Sequence, residues 1–150
     1  MLQITRKVQE GMLEHARVVA PEECCGLLVG RESVMNERVP CTNERHSATS
    51  FSIPPVELLA AFRRIREQGK RLLGIYHSHP SGPEHPSSRD VDEFEYPGVS
   101  YWVVSLHRPA PVVRCYHWTG KRFEEASFDV LPTAERSGAQ SRTNTRGALT

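Results

Sequence analysis

Leu72-Leu73-Gly74-Ile75-Tyr76-His77-Ser78-His79-Pro80 changes character at its first histidine. Leu72 to Tyr76 is a short apolar run of the kind a buried strand shows. From His77 to Ser88 the chain holds three prolines, one glycine and four serines, a composition that reads as a loop. Histidines at i and i+2 in extended backbone point to the same side, so both imidazoles can converge on one ion. Asp90, just beyond the loop, could supply a third ligand. Two His and one Asp with an open fourth position is the pattern of a catalytic zinc site, whereas structural sites are usually closed by four protein ligands. A lone His-x-His carries little weight, since most such pairs are incidental.

Outward from this junction, the pattern gives a mixed order of elements. Ile4, Val8, Met12, Ala16 and Val19 recur at helical spacing, which predicts a helix over 4–19 with Thr5 as its cap and Pro21 beyond its end. Cys24 to Gly30 reads as a buried strand bounded by glycine, and a second strand is expected from about Ser33 to Cys41. Asn43 to Ser52 is polar and loop-like. Pro54-Pro55 can open a helix whose Leu58, Phe62 and Ile65 share a face and which ends at Gly69. Asp90 to Glu95 has the acid-rich character of a short helix, capped by Ser87 or Ser88. Strands follow at 100–106, 112–118 and 122–130, the last two joined as a hairpin at Thr119-Gly120. Such an order predicts an α/β fold, a sheet with helices packed on its faces.

The chain has 150 residues, a length usual for one domain. It carries 19 Lys+Arg against 18 Asp+Glu, a formal net charge of +1, which argues against a nucleic-acid partner held by bulk charge. Residues 132–150 are rich in Ser, Thr, Arg, Gly and Ala and are expected to be a disordered tail, leaving a domain over 1–131 with net charge −1. No apolar run approaches the roughly 18–20 residues of a membrane span. The first residues lack the apolar core of an export signal, so the expected location is cytoplasmic. Cys24, Cys25, Cys41 and Cys115 form no CxxC pair and read as reduced, core-facing thiols.

The full spacing His77-x-His79-x7-Ser87-x2-Asp90, with Glu23-Cys24-Cys25-Gly26 upstream, resembles the JAMM motif of the MPN/JAB domain metallopeptidases. The resemblance covers about residues 1–130, in element order as well as motif. It implies an MPN (JAB) fold, a mixed, curved β-sheet related to the cytidine-deaminase-like architecture. It implies one Zn2+ per chain held by His77, His79 and Asp90, with Glu23 as general base. Ser87 would donate a hydrogen bond to the oxyanion of the tetrahedral intermediate. Glu22 is the rival base; the spacing to Gly26 favours Glu23, because a one-residue shift on a strand reverses the side chain.

Family members cut peptide or isopeptide bonds beside ubiquitin-like modifiers, commonly after a C-terminal Gly-Gly. Only about nine residues separate Asp90 from the strand at Ser100, too few for the long insertion of linkage-specific eukaryotic members. The chain therefore resembles a minimal, prokaryotic-type member. The partner implied is a small ubiquitin-like or sulfur-carrier protein with a Gly-Gly tail, or its conjugates, with neither nucleic acid nor membrane involved. MPN domains also often pair, and the first two helices offer contact surfaces for a homodimer.

Each feature has a plainer competitor. Glu22 and Glu23 could be solvated charges at a helix–strand junction, and Ser87 could simply cap the helix that carries Asp90. His85 reads as an exposed loop histidine, while His15, His46, His107 and His117 have no motif around them. Cys25 reads as core packing. Arg63, Arg64, Arg66, Lys70 and Arg71 read as a solvated helix face, and Asp92, Glu93 and Glu95 form a second charged cluster. A metal-free MPN scaffold that only binds partners is the alternative function, although every ligand is retained here. A zinc deaminase expects H-x-E and a distant P-C-x-x-C, and neither is present.

Overall fold

The computed structural model describes residues 1–132, so the tail expected over 132–150 lies, apart from Pro132, outside the described residues. The chain runs β1 (Leu2–Thr5), α1 (Arg6–Val19), β2 (Cys25–Arg31), β3 (Val34–Cys41), α2 (Pro55–Glu67), β4 (Arg71–His79), α3 (Ser88–Glu93), β5 (Ser100–Ser105), β6 (Val112–Trp118), β7 (Phe123–Ala126) and β8 (Phe128–Leu131). The strands form one mixed sheet in the order β7-β6-β5-β4-β2-β3-β1-β8. β7 and β8 are separated in sequence by Ser127 alone, yet they pair at opposite ends of that order. The final segment thus joins the two edges through the chain, and the sheet curls nearly into a barrel with β7 and β8 as its edge strands.

Alternation along the strands splits the core into two faces. Tyr76, Trp102 and Val104 point to the side covered by Val8, Met12 and Ala16 of α1. Ile75, Tyr101 and Val103 point to the other side, where Ala61 and Ile65 of α2 are buried and Leu58 and Phe62 pack against them. Those helical positions share the face that their spacing predicts. Gly26 pairs with Tyr76 across β2 and β4. A Cβ at that glycine would lie 2.4 Å from the tyrosine ring, so only glycine lets the ring cross the strand there.

Four local expectations need correction. The first helix begins at Arg6, and Ile4 lies on β1, paired with Met35 of β3. Ile4 and Val8 serve the same core cluster, so a strand residue falls into the helical spacing of its successor. Thr5 is nonetheless the cap, its hydroxyl accepting from the Val8 N–H at 3.2 Å. β4 continues through His77 to His79, because β5 runs parallel beside it up to the His79–Ser105 pair. The loop therefore starts at Pro80, not at His77. α3 spans Ser88–Glu93 and not Asp90–Glu95, with Ser87 as its cap. The strand expected over 122–130 is divided at Ser127, where the chain passes from one sheet edge to the other.

Candidate metal centre

Ile75, His77 and His79 alternate along β4 with Gly74, Tyr76 and Ser78, so both imidazoles lie on the α2 side of the sheet. His77 Nδ1 meets the Trp102 carbonyl at 3.1 Å, and His79 Nδ1 meets the Pro83 carbonyl at 2.7 Å. A carbonyl only accepts, so each Nδ1 carries the proton and each neutral ring presents a lone pair at Nε2. The two Nε2 atoms stand 3.0 Å apart, and Asp90 Oδ2 lies 3.2 Å from each. Three buried lone pairs therefore converge on one point, an arrangement that a cation stabilises. Their spacing approaches the roughly 3.4 Å between ligands of a four-coordinate ion with bonds of about 2.1 Å. His77, His79 and Asp90 together fit a metal ion.

The carboxylate is oriented from two directions. Ser87 and Asp90 form a capping box, in which the Ser87 N–H donates to Asp90 Oδ2 at 2.7 Å and the Asp90 N–H donates to Ser87 Oγ at 3.1 Å. Tyr101 Oη donates to Asp90 Oδ1 at 2.8 Å, which leaves Oδ2 facing the histidines. Burial opposes the charge on Asp90, yet the two histidines and the Ser87 N–H outweigh it and hold the carboxyl well below its ordinary range. For His79, burial disfavours the cation, but its bonds to Asp90 and Pro83 and the charges of Asp90 and Glu23 turn the balance upward. Burial dominates at His77 and lowers its basicity.

Glu23 is 2 % exposed, and its Oε1 has no hydrogen-bond partner among the described residues. The segment around it is pinned on both sides. Its N–H donates to the Ser47 carbonyl at 2.8 Å, and Asn43 Nδ2 donates to its carbonyl at 3.0 Å. The next residue, Cys24, donates its N–H to Ser78 Oγ at 2.8 Å, so the serine between the two histidines ties the glutamate to β4. Burial pushes the Glu23 carboxyl up to about 8; His79 and Arg89 oppose that rise, and Asp90 adds to it. Glu22 instead lies outside, with Oε1 3.4 Å from His46 Nδ1.

Phe51 stacks on the His77 ring at 4.9 Å, and Tyr101 lies against it at 4.8 Å. From Asp90 a cleft of about 440 Å3 runs between α2 and the segment after α3. Leu58, Phe62, Ile53 and Tyr101 line its apolar side, and Asp92, Glu93 and Glu95 also line it. These three acids, read above only as a charged cluster, belong to the cleft beside Asp90. Arg45 Nη1 meets Glu93 Oε1 across it at 2.8 Å.

The remaining histidines stand apart. His46, His85, His107 and His117 are exposed. His15 Nδ1 lies 2.7 Å from Tyr76 Oη, and Arg38 donates to the same hydroxyl at 3.1 Å. All four cysteines are free and buried, and burial pushes the Cys25 thiol far up, as inert packing requires. Of the basic cluster, Arg64 and Lys70 pair with Glu37 at 3.4 and 2.7 Å, and Arg63, Arg66 and Arg71 are exposed. Sequence reasoning missed Tyr101, Ser78, Asn43 and the Pro83 and Trp102 carbonyls. Only the strand position of Ser78 between the histidines could have signalled its role, since Tyr101 and the Trp102 carbonyl depend on β4 lying beside β5, and Asn43 and the Pro83 carbonyl on how their loops fold back.

Residues 5–119 match the family described as prokaryotic homologs of the JAB domain. A probable TtuB-protein conjugate cleaving protease of Thermus thermophilus is 44% identical over 92 residues, 57% of this chain and 61% of that protein. The chain thus spans less than two thirds of that relative. The CysO-cysteine peptidase of Mycobacterium tuberculosis is 34% identical over 111 residues, 73% of this chain and 76% of that protein. A solution structure from Desulfitobacterium hafniense superposes with a TM-score of 0.81 at 34% identity, covering 91% of this chain and 97% of the other.

Proposed function

The chain belongs to the prokaryotic homologs of the JAB domain, and on that footing we propose that it is a zinc-dependent peptidase or isopeptidase. Its substrate is a small ubiquitin-like or sulfur-carrier protein, cut at the bond after a C-terminal Gly-Gly. The observation that carries this reading is the convergence of His77, His79 and Asp90 beside a buried, unpartnered Glu23. A structural site would be closed by a fourth ligand, and here the neighbouring carboxylate belongs to a group with reason to take a proton. Names of relatives that cleave TtuB conjugates or act as a CysO-cysteine peptidase support the substrate class.

His77, His79 and Asp90 would hold a zinc ion, which would supply positive charge for polarising a carbonyl and acidifying water. Glu23, buried with its Oε1 unpartnered, accepts the proton of the attacking water and returns it to the leaving amine. Ser87 Oγ accepts the Asp90 N–H, which leaves its own proton for the developing oxyanion. Phe51 and Tyr101 exclude water from the His77 side. The cleft takes the tail upstream of the scissile bond, its apolar wall packing large side chains and its acidic wall favouring a basic one. A Gly-Gly segment passes where side chains would collide with the walls. Glu23, His77, His79, Ser87 and Asp90 all lie within 1–131, which is the catalytic unit in this reading.

Elemental analysis of purified protein, with mass spectrometry of a ubiquitin-like protein extended beyond its Gly-Gly, tests the assignment. About one zinc per chain is expected, lost in His77→Ala and Asp90→Ala, together with cleavage directly after Gly-Gly. Glu23→Gln is expected to keep zinc and lose cleavage. Full metal retention in both ligand variants, or undiminished cleavage by Glu23→Gln, rejects it.

A further inference from the structure

We propose that Glu84, with Arg108 and Tyr116, forms a clamp that positions His79 and Ser87 by fixing the loop between them. The inference rests on the metal-centre reading above and extends it to residues that touch neither metal nor substrate. Residues 80–87 have no helix or strand, and Ser81, Pro83 and His85 are exposed, so no apolar side chain anchors their middle. The loop is held instead through three consecutive carbonyls. Gly82 O accepts from Ser105 Oγ, Pro83 O accepts from His79 Nδ1, and Glu84 O accepts from Tyr116 Oη, each at 2.7 Å.

The Glu84 carboxylate adds a second hold on the same residue. Arg108 Nε and Nη2 reach its two oxygens at 3.2 and 3.0 Å, and Arg114 Nη2 lies 3.7 Å away. A forked guanidinium–carboxylate pair fixes orientation as well as distance. Arg108 lies in the turn between β5 and β6, and Arg114 lies on β6 itself, so the loop is tied to the hairpin beside it.

The middle carbonyl of the three is the one that decides the chemistry. Pro83 O keeps the proton of His79 on Nδ1 and therefore keeps the lone pair on Nε2, facing Asp90. Its two neighbours in sequence are the clamped ones. When Glu84 is released, Pro83 O is restrained from one side only, and His79 loses the partner that sets its tautomer and ring angle. Ser87, three residues on, loses its fixed approach to Asp90 at the same time.

Zinc-loaded full chain, mixed with excess chromogenic chelator, reports the clamp through the rate of metal release. Glu84→Gln and Tyr116→Phe are each expected to release zinc about tenfold faster, the lower end of what loss of an orienting partner costs. Amide exchange at Ser87 in the metal-free protein should quicken in both. Arg108→Gln added to Glu84→Gln should change the release rate no further, since both remove the same pair. The metal-free melting temperature of Glu84→Gln should stay within about 2 °C of the parent, because a half-exposed ion pair contributes little to stability. Release rates equal to the parent overturn the clamp while leaving the metal centre intact. So does faster release that only tracks a falling melting temperature, or a double variant whose effects multiply. A parent chain that takes up no zinc overturns the metal centre and the clamp together.

Discussion

Replacing Glu23 by glutamine should stabilise the metal-free protein at alkaline pH and leave it nearly unchanged in acid. The carboxyl lies buried with an unpartnered oxygen, and its pKa rises from an ordinary 4.5 to about 8. A raised folded-state pKa means that the folded protein holds the proton more tightly than the unfolded chain. Its contribution to stability is therefore whole below the ordinary value and is lost as pH climbs through the folded value. Each pH unit between them costs about 1.4 kcal/mol, so the full interval amounts to about 5 kcal/mol. Between about pH 5 and about pH 8.5 the change is at most about 4 kcal/mol, and partial hydration of the carboxylate should bring it to about 2–4 kcal/mol. Glutamine stays neutral throughout and escapes this loss. Urea unfolding in excess chelator, at about pH 5 and about pH 8.5, reads the difference. The advantage of Glu23→Gln should widen by that amount between the two conditions. A gap that changes by less than about 1 kcal/mol would refute the claim that a buried, charge-averse carboxylate stands beside His79 and Asp90.

Three further perturbations separate the elements of the site. Tyr101→Phe removes the hydrogen bond to Asp90 Oδ1 and should weaken zinc binding by about 10–100-fold in chelator competition; unchanged affinity would mean that the capping box alone orients the carboxylate. Gly26→Ala drives a methyl group to within 2.4 Å of the buried Tyr76 ring and should cost at least about 3 kcal/mol in urea unfolding. A loss below about 1 kcal/mol would show that the ring can move. Glu22→Gln, which breaks only the exposed contact to His46, should change stability by less than about 0.5 kcal/mol and leave cleavage intact. A dead Glu22→Gln enzyme would transfer the base role to that residue.

Much of the site is legible because its signals are short-range. His77 and His79 share a face through the two-residue strand period, and Asp90 stands three residues after its cap, the reach of a capping box. Helix α2 shows its buried side through the spacing of Leu58, Phe62 and Ile65. What stayed hidden depends on which strands become neighbours. β1 is four residues long, too short for alternation to register, and becomes a strand by lying between β3 and β8. Ser127 is a lone serine with no glycine or proline beside it, yet the passage between the two sheet edges falls there. β4 outruns its apolar segment because β5 supplies hydrogen bonds as far as His79.

By itself the sequence determines the donor types, their order and their spacing, and hence the family, because the strand period and helix caps obey local geometry. Only the tertiary structure decides the state of each group. It decides that Glu23 is buried and Glu22 is not, that Tyr101 on a neighbouring strand holds one oxygen of Asp90, and that carbonyls 25 and 4 residues away from the histidines set their lone pairs. Burial and partner choice are sums over residues distant in the chain, and the curling of one sheet brings them to a single point.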